Sequence, residues 1–421
     1  MTVTVTGLTA RDRIAAAARA SRSLTRVGDA DRSAALLRIA TAIEQDSDAI
    51  MVANGEDLEH GRASGLSPAL QDRLRLDERR IAALAAGVHS VAALPDPVGR
   101  VLDARTLPNG LTVTKVSVPF GVVGAIYEAR PNVTVDIAAL ALRAGNAVVL
   151  RGGTAAERSN AALVATMRRA LADSGLDPDV IQTLDEYGRD GATALMHARG
   201  LVDVLIPRGS AGLIQTVVAE STVPVIETGS GVVHIMLDES AAVDRARDIV
   251  VNAKTQRPSV CNAVETVLVH RAAAARLVPE VIAALQSHGV TVHGDDAVQR
   301  LVPGVVPAEE SDWGTEYLSL DVAMRVVDDL DAALDHIDRY STHHTEAIVT
   351  DDAASAERFL AEVDSAVVMA NASTRFTDGE QFGFGAEVGI STQKLHARGP
   401  MGVAELTTTK WLVRGDGQVR D

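Results

Sequence analysis

The chain has 421 residues, 47% of them hydrophobic, and 40 basic against 56 acidic side chains leave a net charge of −16 at pH 7. That length supplies two or three domains with cores of their own, and the acidic balance argues against a nucleic acid or an anionic membrane as partner while leaving room for a local pocket of arginines. The single cysteine excludes an internal disulfide and a cysteine-built zinc site.

The opening MTVTVTGLTARDRIAAAARA is a polar stretch followed by an arginine-dotted helix, without the unbroken apolar core of a secretory signal. No apolar run approaches the roughly 20 residues of a spanning helix, so a soluble, cytoplasmic protein is expected. The first hundred residues have helical spacing, in RSAALLRIATAIEQDSDAIMVAN and again in RRIAALAAGVHSVAAL, until PDPVG breaks it. From about residue 111, LTVTKVSVPFGVVGAIYE reads as two strands, the first alternating and the second nearly continuous. Helix and buried strand then alternate: DIAALALRAG and NAVVLRG, ERSNAALVATMRRALADSG and VIQTLD, GATALMHARG and VDVLIP, GLIQTVVAES and VPVIET. Apolar strands separated by helices predict a parallel sheet covered on both faces.

A second series begins near His234 with HIMLD, ETVLVH, VTVHGDD, VAMRVVDD, EAIVTDD and SAVVMANAS. The pattern predicts two α/β lobes with a seam around residues 227–232. The closing ELTTTKWLVRGDGQVR alternates again and suits pairing with VTKVSV. Two such strands that fit neither lobe suggest a small separate sheet used for association.

Several stretches carry candidate chemistry. In VDVLIPRGSAGLIQ a buried strand meets a helix through Arg208, Gly209 and Ser210; glycine lets the backbone approach an anion, and Ser210 is placed to cap a helix whose free N–H groups face a phosphate. The GxGxxG dinucleotide fingerprint is absent. Arg151 ends the strand of NAVVLRGG, where ligands of open α/β sheets sit, and suits a ribose or a phosphate. VPVIETGSG puts Glu227 at the end of a buried strand, before Gly229 and Gly231, as a base, a ribose acceptor or a turn residue. Arg130 and Asn132 flank a proline in YEARPN and suit an anion or an oxyanion, and KLHARGPMG gathers Lys394, His396 and Arg398. Two cationic loops in an acidic protein point to an anionic substrate. The lone Cys261, in KTQRPSVCNAVETVLV, is by itself either a small core hydrophobe or a nucleophile.

Three runs occur together in one family: VPFGVVGAIYEARPNVTVDIAALALRAGNAVVLRGG, AKTQRPSVCNAVETVLVH, and GAEVGISTQKLHARGPMGVAELTTTKWLVRGDGQVR. On these the chain resembles the γ-glutamyl phosphate reductase family of proline biosynthesis, within the aldehyde dehydrogenase superfamily, from about residue 10 to the end. The resemblance implies an α/β fold of two Rossmann-like parallel-sheet lobes plus a small oligomerisation sheet. An NADPH-binding domain would comprise residues 1–110 and 120–231, a catalytic domain 232–393, and an oligomerisation segment 111–119 and 394–421. It implies NADPH as hydride donor, γ-glutamyl phosphate as substrate and a homo-oligomer; the glutamate kinase that makes the acyl phosphate is a candidate partner for channelling, which the resemblance does not decide.

By position, Cys261 matches the family nucleophile and Glu227 the glutamate that precedes it. Arg151 stands where relatives contact the adenine ribose, Gly209 and Ser210 match the pyrophosphate turn, and Glu316 in WGTEYL looks like the holder of the nicotinamide ribose. Arg130 aligns where aldehyde-oxidising relatives have an oxyanion asparagine, with Asn132 two residues on, and the Cys261 N–H is the other half of that hole. Val232 and Val233 replace a more polar pair of the family. Arg130, Asn132, Arg257, His396 and Arg398 are the expected anion binders, and Arg257, four residues before Cys261, is the expected cation at the thiol. The competing readings are an aldehyde dehydrogenase that hydrolyses its thioester, a coenzyme A-acylating relative, and a non-catalytic scaffold.

Overall fold

A computed structural model describes residues 7–128 and 130–420; the first six residues of the polar opening, Ala129 and the final residue lie outside that description. Two units are formed. The first runs to Glu227 and takes in Gly383–Gly389 and the chain from Met401 on; the second is Thr228–Phe382 with Ile390–Pro400.

The first unit opens with five helices, Ala10–Leu24, Asp29–Gln45, Ser47–Ala63, Pro68–Leu74 and Glu78–Ala92. Their starts are written in the sequence. Thr9 and Asp12 form a reciprocal capping box, and Ser67 and Asp77 each accept an N–H of the first turn. The second helix buries Ala35, Leu36, Ile39 and Ile43, the stripe that helical spacing predicts.

Strands β1 (Val101–Thr106) and β2 (Thr112–Pro119) then form an antiparallel hairpin. The sequence reading had no strand at β1: five of its six residues are exposed, so no buried face marks it and only pairing with β2 makes it a strand. Strands β3 (Val122–Tyr127), β4 (Ala147–Arg151), β5 (Ile181–Thr183) and β6 (Val204–Arg208) form a parallel sheet in the order β5-β4-β3-β6. Every residue of β3 is buried, which explains its continuous apolar run. VPVIET, expected as a further strand, is reduced to one bridge between Val225 and Leu205. Leu205 donates to the Pro224 carbonyl and receives the Ile226 N–H, and there the ladder ends.

The second unit holds β7 (Val233–Leu237), β8 (Val264–His270), β9 (Thr291–Gly294), β10 (Val306–Pro307), β11 (Asp321–Val327), β12 (Thr345–Val349) and β13 (Val367–Ala370). All pair in parallel, in the order β10-β9-β11-β8-β7-β12-β13. One face packs Leu237, Val267, Val269 and Met324 beneath Val250, Leu277 and Val281; the other packs Met236, Leu268 and Ile348 beneath Ile337 and Phe359. Each such fully buried aliphatic side chain contributes about 1.5–3 kcal/mol. A short antiparallel pair follows, β14 (Ile390–Ser391) with β15 (Gly399–Pro400).

Strand β16 (Thr407–Arg414) returns to β2 as the alternation of both stretches predicts, antiparallel from Thr407 opposite Pro119 to Arg414 opposite Thr112. The small sheet therefore has the order β1-β2-β16. Residues 383–389, assigned above to the catalytic domain, belong to the first unit, and 394–400, assigned to the association segment, belong to the second. Among the described residues no helix is long and apolar enough to cross a membrane.

Candidate active site

In the first unit the candidate residues gather at the carboxyl ends of β3, β4 and β6. Gly209 follows β6 with φ +159°, and a Cβ there would lie 2.7 Å from the Glu128 carboxyl carbon. Glycine lets the Glu128 side chain lie against the backbone there. Ser210 stands at the N-cap of helix Ala211–Glu220, but its side chain makes no capping bond, contrary to expectation. Instead its backbone N–H donates to Glu128 Oε1 at 2.9 Å. An anion already occupies the start of this helix, at an N–H suited to a phosphate oxygen. Arg151, half-buried at the end of β4, donates through Nε to the Gly188 carbonyl at 3.2 Å. Gly209 and the Ser210 N–H thus stand at the end of β6, and Arg151 at the end of β4 in the same sheet.

Arg130 is the N-cap of helix Pro131–Arg143, and proline at the first helical position fixes the turn that presents it. Asn132 is exposed and donates to Asp136 Oδ2 at 3.3 Å, one turn on. Burial pushes the Asp136 carboxyl up to about 6, against the Arg208 charge and the Asn132 bond, while Glu387 adds to the rise. Sequence reasoning missed Asp136. Its signal was the i, i+4 spacing to Asn132, which only the helix start makes meaningful. Glu227 is half-buried at the end of the first unit.

In the second unit Cys261 is partly exposed, on the loop just before β8. Gly231 lies directly against it: a Cβ on Gly231 would fall 1.6 Å from the Cys261 carbonyl oxygen. The Gly231 N–H donates to Glu316 Oε1 at 2.7 Å. Burial raises the Glu316 carboxyl above its usual range and the Gly231 bond lowers it. Cys261, Gly231 and Glu316 thus meet, although 85 residues separate the last two.

A fully buried pair braces this group. Lys254 Nζ donates to Glu265 Oε2 at 2.6 Å and to the Val264 carbonyl at 3.0 Å. Burial pushes the Glu265 carboxyl up to about 7 and pulls Lys254 down, so the site tolerates the two charges only as a pair. The second Glu265 oxygen accepts the Leu318 N–H at 3.4 Å, two residues after Glu316. Leu318 is held at φ +54°, a left-handed conformation that a leucine rarely adopts.

Arg257 is exposed, and Arg375, which the sequence reading did not select, shares its surroundings. Burial lowers the Arg375 guanidinium from its ordinary value; Asp378 and Cys261 raise it and Arg257 lowers it further. Arg398, an expected substrate contact, forms an ion pair with Asp364 at 2.8 Å, and Lys394 pairs with the same carboxylate. These two bonds hold the Asp364 carboxyl down at about 2. His396 is exposed in the same loop.

The family model described as the aldehyde dehydrogenase family matches residues 4–303. A γ-glutamyl phosphate reductase of Clavibacter michiganensis is 65% identical over 410 residues, covering 97% of this chain and 95% of its own length. One from Leifsonia xyli is 62% identical over 419 residues, covering 100% and 99%. The crystal structure of a γ-glutamyl phosphate reductase from Thermotoga maritima superposes with a TM-score of 0.96 at 43% identity, covering 98% of this chain and all of that one.

Proposed function

The chain belongs to the aldehyde dehydrogenase family and, within it, to the γ-glutamyl phosphate reductases, and from that premise we propose how its residues perform the reaction. The reaction reduces γ-glutamyl phosphate to glutamate-5-semialdehyde with release of phosphate, a step of proline biosynthesis.

Cys261 is the nucleophile. The observation that carries this is its placement: a thiol kept only for packing would be buried, whereas Cys261 is partly exposed and its backbone is held by Gly231 and, through it, Glu316. The thiolate attacks the acyl carbon, the C–S bond forms, and the bond to the phosphate oxygen breaks with its electron pair leaving on phosphate. The thioester accepts hydride far more readily than a carboxylate does, so one hard reduction becomes two easier steps. Collapse of the reduced adduct releases the aldehyde and restores the thiolate. The Cys261 N–H serves the oxyanion of each tetrahedral stage.

The cofactor is a nicotinamide dinucleotide, and we take it to be NADPH, which supplies the hydride. Gly209 and the Ser210 N–H, released by Glu128, would hold its pyrophosphate, Arg151 the adenosine end, and Glu316 the nicotinamide ribose. Glu227 positions rather than acting as a base, since no water attacks the thioester in the reductive direction. Arg130, Asn132, Arg257 and His396 serve the anionic parts of the substrate, and Asp136 is the carboxylate suited to its α-ammonium. Arg398 acts through its Asp364 pair, shaping the loop. A cytoplasmic homo-oligomer, associated through the exposed side of β16 and supplied by a glutamate kinase, completes this reading.

The test supplies glutamate, ATP and a glutamate kinase and follows NADPH loss with and without this protein. Cys261→Ser is expected to abolish turnover and leave NADPH binding nearly intact; substantial turnover by that variant would contradict the covalent route. Aldehyde oxidation by NADP at full rate without phosphate would instead mark a hydrolysing aldehyde dehydrogenase, and coenzyme A replacing phosphate would mark an acylating one.

A further inference from the structure

The residue after Cys261 is gripped from two sides by one short segment. The Thr374 hydroxyl donates to the Asn262 carbonyl at 2.7 Å, and the Asn262 side-chain amide donates to the Thr377 carbonyl at 2.7 Å. Asn262, Thr374 and Thr377 are all buried, and the Thr345 hydroxyl of β12 donates to that of Thr377 at 3.0 Å. The segment is therefore fixed to the sheet at one end and to the cysteine loop at the other. Between the two grips stands Arg375. Its Nε donates to Gln256 Oε1 at 2.7 Å, which turns the side chain toward the stretch between Gln256 and Cys261.

We propose that Arg375 is the second cation of the thiol centre: with Arg257 it holds the Cys261 sulfur as the thiolate, and it receives the phosphate oxygen that departs when the C–S bond forms. Charge and anchoring both support this. Arg375 follows Thr374, whose hydroxyl holds the residue after Cys261, and is itself bonded to Gln256, five residues before Cys261, so its guanidinium is placed beside the cysteine loop. A half-buried cation acts more strongly than an exposed one such as Arg257, because less water screens it. Its backbone stands between Thr374 and Thr377, both bonded to Asn262, and its Nε is bonded to Gln256, so it is held in place as negative charge moves from sulfur to phosphate. A planar guanidinium also suits two oxygens of one phosphate, which a lysine ammonium does not.

The thiolate part stands on its own; the phosphate part rests on the reading of the substrate as γ-glutamyl phosphate. The experiment separates them. Cys261 is the chain's one cysteine, so alkylation by iodoacetamide reports on it alone. In Arg375→Met the pH midpoint of alkylation is expected to rise by about one unit, and the rate near neutral pH to fall about tenfold. Arg375→Lys, which keeps the charge, should restore most of that rate but not kcat with the acyl phosphate, which falls about a hundredfold in both variants. Should Arg375→Met fail to fold, Arg375→Gln carries the same test, being neutral yet able to bond Gln256. An alkylation profile unchanged from wild type in a folded neutral variant overturns the proposal. Wild-type protein that never consumes γ-glutamyl phosphate would instead overturn the substrate reading and leave the alkylation result to decide the thiolate part.

Discussion

Single residues determine how this chain meets its ligands, and two of them make direct predictions. Glu128 places a carboxylate at the Ser210 N–H, where a dinucleotide phosphate would compete with it. Glu128→Gln is expected to tighten NADPH binding about threefold at low salt, with the gain shrinking as salt screens the repulsion. Fluorescence titration of the bound nicotinamide measures this, and unchanged affinity would mean that the carboxylate does not compete there. Gly231 has no room for a side chain against the Cys261 carbonyl. Gly231→Ala must displace the cysteine loop, and a shift on the order of 1 Å costs about a hundredfold in kcat/KM. Activity within a few fold of wild type would show that the loop relaxes freely. Residue types that carry reactive chemistry were legible in the sequence, Cys261 above all. The glycine that seats it was not singled out, because its meaning lies in a contact that no local pattern records.

At the scale of elements, the Lys254–Glu265 pair joins helix Val243–Thr255 to β8 and to the segment after Glu316. Both side chains are fully buried, so removing one leaves the other as an unpaired charge. Lys254→Met alone is expected to cost about 3–5 kcal/mol, whereas Lys254→Met with Glu265→Leu should recover most of it. Urea unfolding of the two single variants and the double variant measures the coupling; additive losses would mean that the pair does not act as a unit. Helices and buried strands were legible because period and capping are local. β1 was not, since it buries no face, and VPVIET misled because an apolar run specifies burial and not pairing.

Across the whole molecule, buried imidazoles tie stability to pH. Burial holds His344 down at about 4 and, with the nearby His234 and Arg charges, His336 at about 3. An unfolded imidazole takes its proton near about 6.5, so between that pH and about 4 the unfolded chain binds protons that the fold refuses, and stability falls as pH drops. The raised carboxyls of Asp136 and Glu265 act in the opposite sense over a similar range, so the imidazole contribution is best read from a variant. Relative to wild type, His344→Asn is expected to gain about 2 kcal/mol in urea-unfolding stability on going from about pH 7 to about pH 5; a difference independent of pH would refute a neutral buried His344. The association proposed through β16 is tested at the same scale. Trp411 and Val413 are about half exposed on the edge strand β16, so Trp411→Lys with Val413→Lys is expected to lower the oligomeric state seen by light scattering. An unchanged mass would locate association elsewhere. By itself the sequence determined the α/β class and the return of the last strand to β2, because hydrophobic period and alternation are written in neighbouring residues, and it singled out Cys261 as the chain's one thiol. Only the tertiary structure decided that Gly231 and Glu316 frame Cys261, that Arg398 is bound to Asp364, and that the segment carrying Arg375 grips the residue after Cys261. Those are contacts between segments far apart in the chain, and chain folding, not local pattern, brings such segments together.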